Sequence, residues 1–261
     1  MAEIEERLEV AREVARRAGA LALQYFRDRG GLEIERKGRQ DLVSRADREV
    51  EDLIRAELGR AFPHDAFLGE EGGGEEAASL WVIDPIDGTM NFLKGIPYWG
   101  ILLAWTRDRE TRIGITHDPV HDETWWAVAE RGAWRNGEPI RVSGRSDPGE
   151  ALMALSFNFK FPPETYTEML QRSLAHGIDH RRIGSSALKL AYVADGRFDA
   201  FVSYETNSWD VLPGLLLVSE AGGRATDFTA GHHPLTRPRS VIAATPGLVP
   251  VLEEVSGLRL T

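Results

Sequence analysis

Cysteine is absent from the 261 residues. That excludes disulfides, thiolate nucleophiles and cysteine-ligated metal centres, and it suits a reducing cytoplasm. Long apolar runs are lacking as well: no stretch approaches the roughly 18 residues that a membrane span requires. The opening segment, MAEIEERLEVAREVARR, is charged throughout and has no apolar signal core. Basic charge is scarce beside acid, 31 Lys and Arg against 41 Asp and Glu, for a net charge of −10. Nucleic acid is therefore a poor main partner, since phosphate backbones need a basic face. A small anionic substrate is still allowed, because a bound cation can reverse the local field. His117, His121, His232 and His233 stand outside zinc-type motifs. These absences predict a soluble cytoplasmic protein without membrane or nucleic-acid partners.

Hydrophobic residues make up 42% and charged residues 28% of the chain, enough for a sizeable core under a soluble surface. The length allows one large domain or two halves sharing a cleft. Apolar positions at Ile4, Leu8, Ala11, Ala15, Ala18, Ala22 and Tyr25/Phe26 predict a helix over 3–28, stopped by Gly30-Gly31. LEIERK (32–37) alternates like a strand, and Val50, Leu53, Ile54, Ala56 and Leu58 predict a helix over 47–61. Strands are expected at 80–83, 100–106, 112–116, 124–128 and 140–142, with turns such as RNGEP (135–139) between some of them. RSDPGE (145–150) is the candidate boundary. Beyond it come a strand (151–156), a helix (164–176), a helix (185–195), a strand (198–203) and a helix (210–221). No repeat or low-complexity segment appears. The pattern predicts a layered α and β architecture in two subdomains, 1–145 and 146–261.

Acidic residues carry the chemistry. FLGEEGG (67–73) reads either as a solvated loop or as a carboxylate, Glu70, delivered on a glycine-rich backbone. In WVIDPIDGTMNF (81–92) an apolar strand runs into Asp84 and Asp87, with Gly88 permitting close approach and Thr89 supplying a hydroxyl. Asp-Pro and Asp-Gly are also ordinary turn formers, so the spacing alone leaves both readings open. SWDVLPGLLLVSEAGG (208–223) predicts a buried helix with Asp210 at its N-terminus, as a cap, a ligand or both. Hard divalent cations take oxygen ligands, and Mg²⁺ combines carboxylates with water and phosphate oxygens. Glu70, Asp84, Asp87 and Asp210 suit such a site.

Together and in this order, KGRQDLVSRAD (37–47), GEE (69–71), WVIDPIDGTMNF (81–92) and WDVLPGLLLVSEAGG (209–223) resemble the inositol monophosphatase family of Mg²⁺-dependent, lithium-sensitive phosphatases. The resemblance covers nearly the whole chain. It implies an α+β layered sandwich (αβαβα) of the inositol monophosphatase/fructose-1,6-bisphosphatase type. The site then lies between two subdomains, the N-terminal one carrying most ligands, and the molecule is a homodimer. It implies two or three Mg²⁺ ions held by Glu70, Asp84, Asp87, Asp210 and the carbonyl of Ile86. Asp47 and Thr89 match the pair that positions and deprotonates the attacking water, with Glu70 also counted among the catalytic residues. The amides of Gly88 and Thr89 match a phosphate cradle, and Lys37 and Asp41 match a loop that helps complete the site.

RRIGSSALKLAYVADG (181–196) also matches the family, and its Ser185 and Ser186 would face the leaving group or serve only as caps. In inositol-specific members a glutamate six residues before the Trp of the WD pair contacts substrate hydroxyls. That position holds Ser203 here, and Glu205 follows two residues later. A hydroxyl can bond a polyol but loses the charge-assisted contact. Ser203, Glu205 and Asp210 therefore stand as substrate-side candidates. Arg181 and Arg182 either pair on the surface or reach an anion. The aromatic run TWWAVAERGAW (124–134) reads as strand packing, and GHH (231–233) as a loop. The resemblance implies hydrolysis of small phosphate monoesters, most of all inositol 1-phosphate or a similar polyol phosphate, by a metal-activated water. The alternatives are histidinol-phosphate phosphatase and a regulatory or interaction protein that retains the fold.

Overall fold

The structure is a computed structural model that describes residues 2–28, 34–38, 41–158 and 160–261, with the backbone alone at 2, 34–38 and 41–43. Helix α1 (Ala2–Arg27) is followed by a two-stranded antiparallel ribbon, β1 (Ile34–Gly38) and β2 (Asp41–Ser44), and by α2 (Arg45–Ala61). Gly30-Gly31 and the start of the expected strand, 32 and 33, lie outside the described residues. Strands β3 (Ala66–Gly69), β4 (Gly73–Gly74), β5 (Ser79–Asp87), β6 (Gly100–Arg107), β7 (Glu110–Asp118), β8 (Glu123–Val128), β9 (Gly132–Arg135) and β10 (Glu138–Pro139) form one eight-stranded sheet. Its order is β10-β9-β8-β7-β6-β5-β3-β4, antiparallel except for the β3–β5 pair. The short helix α3 (Thr89–Lys94) leaves the end of β5.

The rest of the chain adds β11 (Leu152–Ser156), α4 (Pro163–Ala175), β12 (Asp179–Arg181), α5 (Ser186–Ala194), β13 (Ala200–Thr206), α6 (Ser208–Glu220), β14 (Arg224–Ala225), β15 (Arg239–Ala244) and α7 (Val249–Ser256). A five-stranded mixed sheet results, in the order β12-β11-β13-β15-β14.

Burial sorts these elements into five layers. Alternate residues of a strand face opposite sides, so Trp81 and Ile83 of β5 pack with Ala15 and Ala18 of α1 and Val50 and Ile54 of α2. Leu80 and Val82 face the other way, against Leu188 and Leu190 of α5 and Leu215 and Val218 of α6. That middle layer also covers Ala154 and Phe201 of the smaller sheet, whose far face carries Met153 and Val202 against Met169 of α4 and Leu252 of α7. The result is the αβαβα sandwich that the resemblance implied. One apolar layer, with members on both sides of residues 145–150, joins the two sheets.

Two close approaches set the middle layer. A Cβ on Gly114 of β7 would sit 2.8 Å from Pro213 Cα, and one on Gly214 would sit 2.5 Å from Leu190 Cβ. Glycine at these points lets α6 lie against the large sheet and against α5 at once.

The strand expected at 140–142 does not form. Asn136 and Gly137, both at positive φ (49° and 92°), make a two-residue turn that pairs Arg135 with Glu138 instead. This is the primed turn that matches strand twist. Pro139 has no N–H to extend the ladder, and the chain leaves the sheet edge, with Val142 N–H bonding Ala221 O at 3.1 Å.

Candidate active site

The exit of β5 is where the acids converge. The strand runs on past Asp84 to Asp87, and its pairing with β6 skips a residue: Asp84 faces Leu102 while Asp87 faces Gly100. Residues three apart in a regular strand point to opposite faces. The extra residue of the bulge brings both carboxylates to the α5–α6 side, while Ile83 and Ile86 stay in the α1–α2 core.

Glu70, Asp84 and Asp210 each place a carboxylate oxygen within 4.8 Å of the others. Asp84 is buried; its Oδ1 accepts the Ile86 N–H at 3.0 Å, and its Oδ2 is buried without a hydrogen-bond partner. Burial, then the charges of Glu70, Asp87, Asp210 and Asp47, holds the Asp84 carboxyl well above the ordinary range. Asp210 is pushed up to about 7, by burial first and then by Asp87. Asp87 stands beside this trio. Burial raises its carboxyl, while Ser185 Oγ at 2.6 Å and the Ala187 N–H at 2.7 Å donate to its Oδ2 and oppose the rise. An orphaned buried carboxylate oxygen and an all-oxygen set of mutually repelling acids fit a hard divalent cation.

Two of the acids are held by the same local device. Asp47 is the third residue of α2, and its Oδ2 accepts the N–H (2.8 Å) and Oγ (2.6 Å) of the N-cap Ser44. Asp210 is the third residue of α6, and its Oδ2 accepts the N–H of the N-cap Asn207 and Thr206 Oγ1, each at 3.0 Å. Asn207, not Asp210, is thus the cap, and in both helices a capping box fixes one carboxylate oxygen while the other stays outside the cap. Thr89 Oγ1 lies 3.4 Å from Asp47 Oδ1 and 3.2 Å from Ile86 O. Gly88 caps α3 at φ 98°, and a side chain there would press on Ser185 Cβ and Tyr98 O, each at 3.3 Å.

Glu70 is placed by residues that the motifs did not single out. Glu51 of α2, buried, accepts the N–H groups of Glu71 and Gly72, each at 2.9 Å, and Arg55 bonds both Glu51 (2.7 Å) and Gly73 O (2.6 Å). Glu51 and Arg55 are four apart on one helix, which by itself reads as a surface pair. Asn91 was missed too. Its Nδ2 reaches Tyr98 O (2.8 Å) and Ile183 O (2.7 Å), tying α3 to the segment ahead of α5.

On the α5 side, Ser185 is the N-cap at φ 29°, a sparsely populated backbone. Its Oγ accepts the Leu188 N–H at 3.2 Å while donating to Asp87. Ser186 Oγ is 3.3 Å from Ser156 Oγ of β11. Ser203 is 0% exposed, and its Oγ donates to Glu205 O at 3.1 Å. The Glu205 carboxylate is partly exposed and takes Lys160 Nζ at 2.6 Å and Asn158 Nδ2 at 3.4 Å. Lys37 and Asp41 lie in β1 and β2, and their side chains are outside the described residues.

Among the described residues no helix is long and apolar enough to cross a membrane. A relative from Pseudomonas aeruginosa named Nus factor SuhB is 38% identical over 247 residues, covering 91% of each chain. A fructose-1,6-bisphosphatase/inositol-1-monophosphatase from Thermotoga maritima is 37% identical over 224 residues, covering 86% of each. Among solved structures, the extragenic suppressor protein suhB of Bartonella henselae superposes with a TM-score of 0.88 at 34% identity, over 95% of this chain and 97% of that one. The Thermotoga maritima IMPase superposes at 0.85 and 34%, over 96% and 98%. Residues 3–256 match the family model described as inositol monophosphatase family. The chain belongs to the inositol monophosphatase family.

Proposed function

We propose that the protein is a Mg²⁺-dependent phosphatase of small phosphate monoesters, with a polyol phosphate such as inositol 1-phosphate as its substrate class. The observation that carries this reading is the orphaned Asp84 Oδ2 inside the Glu70–Asp84–Asp210 cluster. Together with Asp87 and the Ile86 carbonyl, these residues would hold the cations. When bound, Mg²⁺ lowers the pKa of a water and neutralises phosphoryl and leaving-group oxygens. Asp47, fixed by its capping box, leaves Oδ1 toward Thr89. That pair orients the attacking water and takes its proton at Asp47 Oδ1. The Gly88 and Thr89 amides, at the start of α3, receive the phosphoryl oxygens. The Ser185 and Ser186 side of the pocket meets the leaving group, with the partly exposed Glu205 at its rim.

The test is a panel of phosphate esters assayed with Mg²⁺ and with EDTA. Mg²⁺-dependent turnover, strongest on inositol and related polyol phosphates, supports the reading. Strong turnover of histidinol phosphate with negligible inositol phosphate hydrolysis would favour the histidinol-phosphate alternative. The name Nus factor, carried by a relative of 38% identity, favours a second reading, a regulatory or interaction protein on the same fold. No activity on any ester with Mg²⁺ would support it. The family resemblance also supports a homodimer, which sedimentation of the purified chain checks.

A further inference from the structure

Lys189 lies in the middle of α5 and is 2% exposed. Its Nζ donates to neutral oxygens, the carbonyl of Leu155 at 2.9 Å and Ser156 Oγ, and it stands 5.3 Å from the Phe201 ring. Burying an amine that ends on neutral acceptors is costly, and native chains keep such groups where the surroundings compensate. Burial pulls its amine down to about 7, and the charges of Asp87 and Asp210 only partly oppose that fall. A pure packing role would be met better by leucine or methionine.

The hydrogen bonds leaving Lys189 have a direction. Nζ donates to Ser156 Oγ, so the Ser156 proton has to find another acceptor. Ser186 Oγ lies 3.3 Å away, in a contact that either hydroxyl can donate, and offers one such acceptor. Ser186 in turn has its own proton to place. Ser156 and Ser186 are partly exposed whereas Lys189 is not, so the chain runs from the core to the surface. It emerges one residue after Ser185, whose Oγ holds Asp87. Ser203, in register with Ser156 on the neighbouring strand, turns its hydroxyl to the Glu205 carbonyl and stays out of the chain.

We propose that Lys189 is a positioning residue that, through Ser156, fixes Ser186 as a hydrogen-bond donor on the leaving-group side, so that the pocket selects leaving groups presenting oxygen acceptors and disfavours those carrying an ammonium. This rests on the phosphatase reading of the same site and deepens it. A hydroxyl free to rotate would serve a donor or an acceptor alike. One held by the relay discriminates, because a donor facing a donor leaves both unpaired.

The experiment compares glycerol 2-phosphate, O-phosphoethanolamine and p-nitrophenyl phosphate in the wild type and in Lys189→Met, Ser156→Ala and Ser186→Ala. In all three variants kcat/KM should fall about tenfold more for glycerol 2-phosphate than for p-nitrophenyl phosphate, mainly through KM. The preference for glycerol 2-phosphate over O-phosphoethanolamine should shrink by a similar factor. Ser156→Thr keeps a hydroxyl and should restore the wild-type ratios, which a merely structural role for Lys189 would not require. If Lys189→Met fails to fold, the serine variants carry the test alone. Equal loss on all three esters, or wild-type ratios in Ser156→Ala, overturns the relay and leaves the phosphatase reading standing. Absence of Mg²⁺-dependent turnover by the wild type on any ester removes both.

Discussion

Ser185 Oγ donates to Asp87 Oδ2 at 2.6 Å across 98 residues of sequence, joining the end of β5 to the start of α5. The Ala187 N–H reaches the same oxygen at 2.7 Å. One carboxylate oxygen thus closes the first turn of a helix from another part of the chain, and the place of Asp87 depends on the large sheet and α5 together.

Asp87→Asn keeps an oxygen for Ser185 and Ala187 to bond, so the variant should fold. It removes a charge beside the Glu70–Asp84–Asp210 cluster. Mg²⁺-dependent hydrolysis should fall at least about tenfold, and Mg²⁺ affinity with it. Steady-state kinetics against Mg²⁺ concentration measures both, and wild-type rates in the variant would refute the site assignment.

Stability should depend on pH through the raised acids. The folded chain holds Asp210 at about 7 and Asp84 well above the ordinary range, while unfolded carboxyls titrate near about 4. Between these values the folded state binds more protons, so this contribution is present at low pH and is lost as pH rises from about 4 to about 7. The metal-free Tm of wild type should fall over that window more steeply than that of Asp210→Asn. Cations displace the protons, so the rise in Tm caused by Mg²⁺ should be larger near about pH 8 than near about pH 5.5. A Mg²⁺ shift independent of pH would contradict the cluster's linkage to protons.

Asp65 is a structural acid away from the site. It accepts Arg7 through both oxygens (3.2 Å each), Ser79 Oγ (2.6 Å) and the Trp81 indole N–H (3.0 Å). Asp65→Ala strands these donors and should cost roughly 2–4 kcal/mol. Urea unfolding reads the loss; a change under about 0.5 kcal/mol would show that water replaces the carboxylate.

Gly114→Ala tests how closely α6 lies on the large sheet. The new methyl would meet Pro213 backbone at 2.8 Å, which no rotamer relieves. Overpacking there should destabilise by about 1–3 kcal/mol. An unchanged midpoint in urea would mean that the two layers can separate.

Lithium at millimolar concentration should inhibit turnover, as the family resemblance implies. Full activity in lithium would count against a family-like metal site.

The acid motifs were legible because their flanks carry local meaning. The apolar approach of Trp81-Val82-Ile83 specifies a buried strand, and the run after Asp210 specifies a buried helix. The capping boxes were legible in principle: Ser44 precedes Asp47 by three residues, and Asn207 precedes Asp210 by three. The bulge between Asp84 and Asp87 was not, because it is a mismatch of register with β6. Glu51 and Arg55 look like an ordinary helix-surface pair until the Glu70 loop folds over them. The strand expected at 140–142 failed because the Asn136-Gly137 turn spends the pairing earlier.

The sequence by itself determined a layered α and β class, since periodicity and caps act over a few residues, and its motif blocks carried the resemblance that implied the five layers, the family and the candidate acids. The tertiary structure alone decided that Glu70, Asp84 and Asp210 share one point, that Asp87 is held from α5, and that Lys189 ends on Ser156 of β11. Those contacts join residues far apart in the chain. Their distances follow from how two sheets close on α5 and α6, and no local spacing encodes that closure.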